Sequence, residues 1–240
     1  MSIKPSQDKL LSYALGNGLL NGLLAPEHER LRPHLETVEL VSGDPLGESG
    51  KPMSHAYFPI DAVVSLLCAM DDGASTEIAM VGDEGVIGLS LVMGRGGMPG
   101  RAIVQRAGVA YRIKAEWFQD EFNRGGGFQK QLLYYMQLLL IQVSQIAACN
   151  RYHTLDQQLC RWLLSSLDRL PTHELLVTQE FMANLLGVRR EGVTESAGKL
   201  QKAGLISYHR GRITILDRKG LEARACECYR VIKQGREYAL

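Results

Sequence analysis

Arg189, Arg190, Glu191, Thr194, Glu195 and Lys199 crowd one side of a short periodic run whose other side carries Val193, Ala197 and Leu200. Long polar side chains displayed this way have the reach and the donor and acceptor groups to read base edges. A guanidinium pairs bidentately with guanine, and a carboxylate accepts from the cytosine amino group. Just beyond lie two short β-rich runs, Leu205 to His209 and Arg212 to Leu216, joined by the hairpin-turn dipeptide Arg210-Gly211. Arg210 and Arg212 there suit phosphate contacts, which position a protein on a duplex without reading its sequence.

These side chains need a frame, and the residues from Val177 to Leu216 supply one. Thr178 is placed to cap a helix by accepting from an amide of its first turn, and Glu180 favours the positive end of the helix dipole. Phe181, Leu185 and Leu186 form the apolar face of that helix, Ala183 permits close packing, and Gly187 ends it. A second helix over residues 189–201 stops at Gly204. Two short helices across a glycine turn, followed by a basic hairpin, form a winged helix-turn-helix pattern whose second helix is expected in the DNA major groove. The competing reading is a helical hairpin with a solvated charged face. Helix lengths, glycine spacing and the basic wing favour DNA.

The chain has 240 residues, 45% hydrophobic and 22% charged, which fits two domains with ordinary cores. Its net charge of +1 is unevenly spread. Residues 1–153 carry 13 Lys+Arg against 16 Asp+Glu, whereas residues 154–240 carry 14 against 10, so the positive half is the half with the DNA-binding pattern. Cys68, Cys149, Cys160, Cys226 and Cys228 are odd in number and scattered, which argues against a secreted disulfide framework. No signal-peptide pattern opens the chain, and the cytoplasm is the expected compartment.

The spacing predicts an α+β protein in three parts. Residues 1–127 form an antiparallel β-roll behind an N-terminal helical arm, read as a Leu-rich helix over residues 5–24 followed by Glu27–Leu35. The β-rich runs are Thr37–Val41, Tyr57–Pro59, Ala62–Ala69, Glu77–Val81, Ala102–Gln105 and Val109–Ile113, with Ser42 to Pro52 a polar turn region. Residues 128–153 form one long helix and a hinge at Asn150–His153. Residues 154–240 form the winged domain, opened by a helix from Thr154 to Leu170 and closed by an appended helix from Leu221 onward.

On the long helix, Leu132, Met136, Leu139, Val143 and Ile146 recur at four- and three-residue steps, the spacing of a dimer seam. A second stripe holds Tyr134, Leu138 and Ile141. Gln131 to Asn150 is uncharged and long enough to span a bilayer, but Gln131, Gln137, Gln142 and Gln145 would need partners inside hydrocarbon. A dimerisation helix is preferred over a membrane span and over a purely internal core helix.

In this order of parts the chain resembles the Crp/Fnr family of bacterial transcription regulators, over about residues 25–220. The resemblance is most specific over Leu185-Leu186-Gly187-Val188-Arg189-Arg190-Glu191-Gly192-Val193-Thr194 and Ala203-Gly204-Leu205-Ile206. It implies a cyclic-nucleotide-binding-like jelly roll, a long dimerisation helix and a homodimer on a near-palindromic operator, with RNA polymerase as a partner. It also implies an Arg-Glu pair at base edges, matched here by Arg190 and Glu191. Family members of the catabolite-activator kind have a second Arg one turn further on, where this chain has Glu195, so a different operator is expected.

For the effector pocket the resemblance points to Gly88, Leu89, Ser90, Arg101, Ala102 and Ser144. Relatives that bind cyclic nucleotides have a ribose-binding Glu where Leu89 stands and a hydroxyl residue where Ala102 stands. Leaving ribose hydroxyls unpaired costs about 1–3 kcal/mol each, so the residues argue against cAMP, and Arg101 reads equally as a phosphate ligand or a surface arginine.

No certain cofactor and no metal site is expected. The N-terminal quarter has no cysteine for an iron–sulfur cluster, Cys226-x-Cys228 in a helical stretch reads first as packing, and His153 and His209 have no ligand-type neighbours in sequence. Nor is an enzyme expected: there is no convergent nucleophile and base, and Asp71-Asp72 and Asp83-Glu84 lie in turns. The alternative to an effector-controlled regulator is an effector-free DNA-binding or interaction scaffold.

Overall fold

The computed structural model describes residues 16–94, 100–170 and 172–237. Most of the expected arm, from residue 5 to residue 15, lies outside that range. The arm begins in view at α1 (Gly18–Asn21), capped by the Asn17 side chain, and continues in α2 (Ala25–Leu31) with a proline in its first turn. Asn17 is fully buried and donates to the carbonyls of Pro59 and Gly85 at 2.8 and 3.0 Å.

The roll follows as β1 (Glu36–Leu40), β2 (Pro45–Gly47), β3 (His55–Pro59), β4 (Val63–Ala69), β5 (Ser75–Val81), a single turn α3 (Ser90–Met93), β6 (Arg101–Arg106) and β7 (Gly108–Lys114). Its sheets have the strand orders β1-β7-β3 and β2-β6-β4-β5. Strand β2 was read as part of a polar turn because three residues are too few to show a period of two. Helices α4 (Ala115–Arg124) and α5 (Gly127–Tyr152) come next, separated by Gly125 and Gly126 at positive φ. Phe118 packs edge-on against Phe128 with ring centroids 5.4 Å apart, and Phe58 lies 6.1 Å from Phe118. The expected α+β order is the one observed.

The described chain divides into two compact units, residues 16–64 with 81–138, and residues 65–80 with 139–237. The second unit contains α6 (Leu155–Leu167), β8 (Glu174–Leu176), α7 (Gln179–Leu186), α8 (Arg190–Lys202), β9 (Ile206–His209), β10 (Arg212–Ile215), α9 (Arg218–Arg224) and α10 (Glu227–Glu237). Thr154 and Gln157 close a capping box at the start of α6. Leu159, Trp162, Leu163, Leu164 and Leu167 are all buried along that helix, as its periodicity predicts.

Three expectations need correction. The long helix takes in Asn150, Arg151 and Tyr152 of the expected hinge segment. It runs on through Tyr152, and only His153 breaks it before the Thr154 cap.

The appended C-terminal helix is two helices, broken at Ala225-Cys226. The dimer seam is the third correction. Leu132 and Ile146 are 0% and 4% exposed, and Met136, Leu139 and Val143 are half-buried in the chain's own interior. The large apolar side chains that α5 exposes are Leu133, Tyr134 and Leu140, at 52, 65 and 67%, and Tyr152 at its last residue. The same seven-residue spacing also runs one position over, through Leu133, Gln137, Leu140, Ser144 and Ala147 with Tyr134 alongside, and that face is the exposed one. Several apolar stripes satisfy the same spacing, and packing decides which faces in.

By length and apolar content α5 could cross a bilayer. Its glutamines instead have partners of a globular fold. Gln131 donates to the Gly22 carbonyl at 3.1 Å and Gln145 to the Cys228 sulfur at 3.1 Å. In the orientation that satisfies its amide, Gln142 accepts from the Met80 N–H at 2.8 Å and donates to the Met80 carbonyl at 3.3 Å.

The tip of the β4–β5 hairpin belongs to the second unit. There Thr76 donates to the Leu185 carbonyl at 3.2 Å, and the buried Glu77 accepts from Ser65 at 2.6 Å. Burial pushes the Glu77 carboxyl up to about 7, against the opposing pull of Ser65, Arg161 and Arg169. Below about pH 4.5 both the folded and the unfolded chain hold this proton. From there to about 7 only the folded chain does, so stability drains away as pH rises through that window. Removing the charge in Glu77→Gln should therefore raise the free energy of unfolding relative to the parent increasingly from about pH 5 to about pH 8, by up to on the order of 3 kcal/mol. Parallel pH profiles of the two proteins would contradict this.

Candidate nucleic-acid interface

Helix α7 starts at Thr178, whose hydroxyl oxygen accepts from the Phe181 N–H at 3.1 Å. It ends at Gly187 in the left-handed conformation (φ 66°, ψ 35°), with the Val188 N–H returning to the Ala183 carbonyl at 3.0 Å. That turn swings the chain into α8, for which Arg189 is the N-cap residue. Val193, Ala197 and Leu200 are buried beneath α8, and Ser196 donates to Asp156 of α6 at 2.6 Å. The buried face fixes the rotation of the helix and so turns Arg189, Arg190, Glu191, Thr194, Glu195 and Lys199 outward, where all six are exposed.

The six are not equivalent. Thr194 donates to Gln179 at 2.8 Å, joining α8 to the first turn of α7. Lys199 is ion-paired with Glu195 at 3.0 Å and with Asp156 at 3.4 Å, which raises the lysine pKa. Among the described residues, no ion pair within the chain holds the side chains of Arg189, Arg190 or Glu191. They stand at the N-terminal end of α8, where the helix dipole is positive and anions are favoured.

The wing is a three-stranded sheet in the order β8-β10-β9. Its turn, Arg210-Gly211, has positive φ at both residues (47° and 77°), as a two-residue type I′ hairpin requires. Arg210 is the only non-glycine at positive φ among the described residues, where Asn or Gly would cost less. The turn is moored beside Thr178, for the Val177 N–H donates to the Gly211 carbonyl at 2.8 Å and the Tyr208 hydroxyl donates to the Val177 carbonyl at 3.3 Å. Thr178, the start of α8 and the wing turn therefore share one surface.

Arg212, also expected at phosphate, is ion-paired with Glu174 of β8 at 2.7 Å. It braces the wing across the sheet and is less available to phosphate than Arg210. Strand β8 is three residues long and left no readable period, so the Glu174 partner was not foreseen. The same applies to Asp156, which lies a domain's depth away from Lys199 in sequence.

The residues expected at an effector pocket have mixed positions. Gly88 (φ 120°) lies so close to β3 that a Cβ there would come within 3.0 Å of Ala56, so the glycine is needed for packing. Leu89 and Ser90 are half-buried at the start of α3, and the Ser90 hydroxyl points to the Met53 sulfur at 3.9 Å. Ala102 is fully buried at the head of a continuous buried run, Ala102 to Gln105, whereas Arg101 before it is exposed at the start of β6. Ser144 is exposed on α5.

Residues 157–224 match the family model of the Crp-like helix-turn-helix domain. That match places a Crp-like helix-turn-helix domain in the second unit. Among solved structures, a transcriptional regulator of the Crp/Fnr family from Eubacterium rectale matches at 22% identity over 86% of this chain and 96% of its own, with a TM-score of 0.67. A Crp/Fnr-family regulator from Thermus thermophilus matches at 23% identity over 79% and 98%, with a TM-score of 0.66. The regulator CLP of Xanthomonas campestris, described as responsive to c-di-GMP, matches at 19% identity over 80% and 99%, with a TM-score of 0.61. No curated protein matches the chain. The solved structures share this fold, and those from Eubacterium rectale and Thermus thermophilus are described as transcriptional regulators.

The wing turn gives a direct test of this surface. Arg210→Asn suits the left-handed turn and removes the charge. The variant should be at least as stable as the parent, bind all duplex DNA more weakly by a similar factor, and lower the slope of log affinity against log salt by about 1. An unchanged salt slope would remove Arg210 from the interface.

Proposed function

We propose that this chain is a homodimeric, sequence-specific transcription regulator acting in the cytoplasm, with RNA polymerase as the partner its family resemblance implies. Each α8 enters the major groove of one half-site, and the two half-sites lie about one helical turn (~34 Å) apart. The observation that carries this reading is the exposure of Arg189, Arg190 and Glu191, without an ion pair among the described residues, at the N-terminal end of a helix whose opposite face is sealed in the core. Arg190 and Glu191 read base edges, Arg189 and Arg210 hold phosphates, and Thr178 supports the approach of the backbone. Glu195 and Lys199, already paired to each other, shape the rim of the contact. An effector acting on the roll biases the population of DNA-competent dimers. Leu89 offers no acceptor to a ribose, and Ala102 is buried without a hydroxyl to offer, so that effector is not cAMP.

Selection of binding sites from random duplex DNA should return a two-fold-related motif. Replacing both Arg190 and Glu191 by Ala should abolish preference for it, at about 1–3 kcal/mol per lost base contact, while leaving weak non-specific binding in place. Sites without two-fold symmetry, bound equally by the double variant, would refute the reading and favour a non-specific scaffold.

Dimerisation rests on the exposed face of α5. The parent should sediment as a dimer, and Leu133→Glu combined with Leu140→Glu should sediment as a folded monomer with far weaker operator binding. Charges at Leu132 or Ile146 should instead unfold the chain, since both are buried. A monomeric parent would remove the seam.

A further inference from the structure

The last turn of α5 carries Cys149 and His153, four residues apart and so on one face of the helix. Across from them stand Cys226 and Cys228. In one continuous helix, residues two apart point to opposite sides. Here the break at Ala225, whose backbone is extended (φ −68°, ψ 152°), re-aims the chain so that both thiols turn toward α5.

The result is a compact set of four potential ligands. The sulfurs of Cys149 and Cys226 are 3.5 Å apart, and the Cys228 sulfur is 3.4 Å from His153 Nδ1. All four ligand atoms lie within 4.8 Å of one another. The three cysteines are 0, 6 and 0% exposed.

We propose that Cys149, His153, Cys226 and Cys228 form a structural binding site for a single zinc-class divalent ion. Tetrahedral Zn²⁺ with Zn–S of about 2.3 Å and Zn–N of about 2.0–2.1 Å sets its ligands about 3.8 Å (S to S) and about 3.6 Å (S to N) apart. The two closest pairs here are within a few tenths of an ångström of those edges. A cluster of several irons would hold its thiolates farther apart than this group allows. A Cys149–Cys226 disulfide would use only two of the four and leave the placement of His153 and Cys228 without a purpose. Three thiolates and one imidazole in a buried tetrahedron leave no open position, which is the pattern of a structural rather than a catalytic zinc.

The surroundings are those of a metal site. His153 presents Nδ1 to the cysteines and Nε2 to Glu227, 3.3 Å away, the carboxylate–histidine arrangement that orients a metal-bound imidazole and raises its basicity. Gln145 donates to the Cys228 sulfur at 3.1 Å, as amides do to metal thiolates. The ion would tie the end of α5 to the start of α10, closing the long stretch of chain that contains the whole helix-turn-helix, and closing long loops is where such a clip stabilises most.

The test uses the full chain, purified under reducing conditions, stripped with chelator and titrated with Co²⁺, then Zn²⁺. One Co²⁺ per chain should produce tetrahedral ligand-field bands and thiolate-to-cobalt charge transfer. One equivalent of Zn²⁺ should bleach both and raise the melting temperature. Cys228→Ser should lose most of the charge-transfer intensity, whereas Cys68→Ser, outside the cluster, should keep it. Glu227→Gln should keep the bands but bind Zn²⁺ about 10–100-fold more weakly. A parent chain that gives no tetrahedral thiolate bands, or that is isolated metal-free with Cys149 and Cys226 joined by a disulfide, overturns the proposal. So does a Cys228→Ser variant whose bands are undiminished.

Discussion

The structure depends on how α5 commits one of its faces. Leu132, Ile146 and Cys149 are sealed within the chain, and Gln142 pairs with the backbone of Met80 much as a neighbouring strand would. A buried amide with both its groups satisfied holds rotation more sharply than apolar contact, because any turn of the helix leaves two polar groups unpaired. That choice of face leaves Leu133, Tyr134 and Leu140 outside. It also aims Cys149 and His153, at the far end of the same helix, toward the C-terminal residues. One rotational setting therefore determines both what α5 offers to a second copy and what it offers to a metal ion.

The DNA-reading surface follows the same economy. Val193, Ala197 and Leu200 set the rotation of α8, and Gly187, in a conformation costly to other residues, sets its direction. Charged groups then divide into those the chain uses for itself and those it leaves exposed. Lys199, Glu195 and Arg212 have partners within the chain, which holds them in place at some loss of availability. Arg189, Arg190, Glu191 and Arg210 have no ion-pair partner among the described residues. Arg210 also occupies a turn position that Asn or Gly would fill with less strain, and strained residues of this kind concentrate where function demands a particular side chain.

The β4–β5 hairpin adds a second theme. Its tip is part of the same compact unit as α6 and α7, with Thr76 bound to the Leu185 carbonyl and Glu77 buried under the influence of Arg161 and Arg169. A carboxyl in such a place is costly unless it is neutral or well paired. Nothing in the alternation of Ser75–Val81 distinguishes Glu77 from any polar residue at a strand position. Its setting comes from a helix 84 residues further along the chain.

Local patterns were enough for whatever is decided by nearest neighbours along the chain. The order of roll, long helix and winged domain, the capping of α7 by Thr178, the glycine stop at Gly187 and the outward charged face of α8 all follow from periodicity, capping chemistry and turn residues. Strands of three residues, β2 and β8, escaped because so few residues cannot display a period, and Glu174 escaped with them. Only tertiary packing could decide among choices that satisfy the same spacing equally. It put Leu132 and Ile146 inside and Leu133 and Leu140 outside. It broke the C-terminal helix at Ala225, and it brought Cys226 and Cys228 to Cys149 and His153 across more than seventy residues of chain. The reason is common to all of these: a helical pattern names its faces but not its neighbours, and a neighbour distant in sequence is known only when the chain has folded.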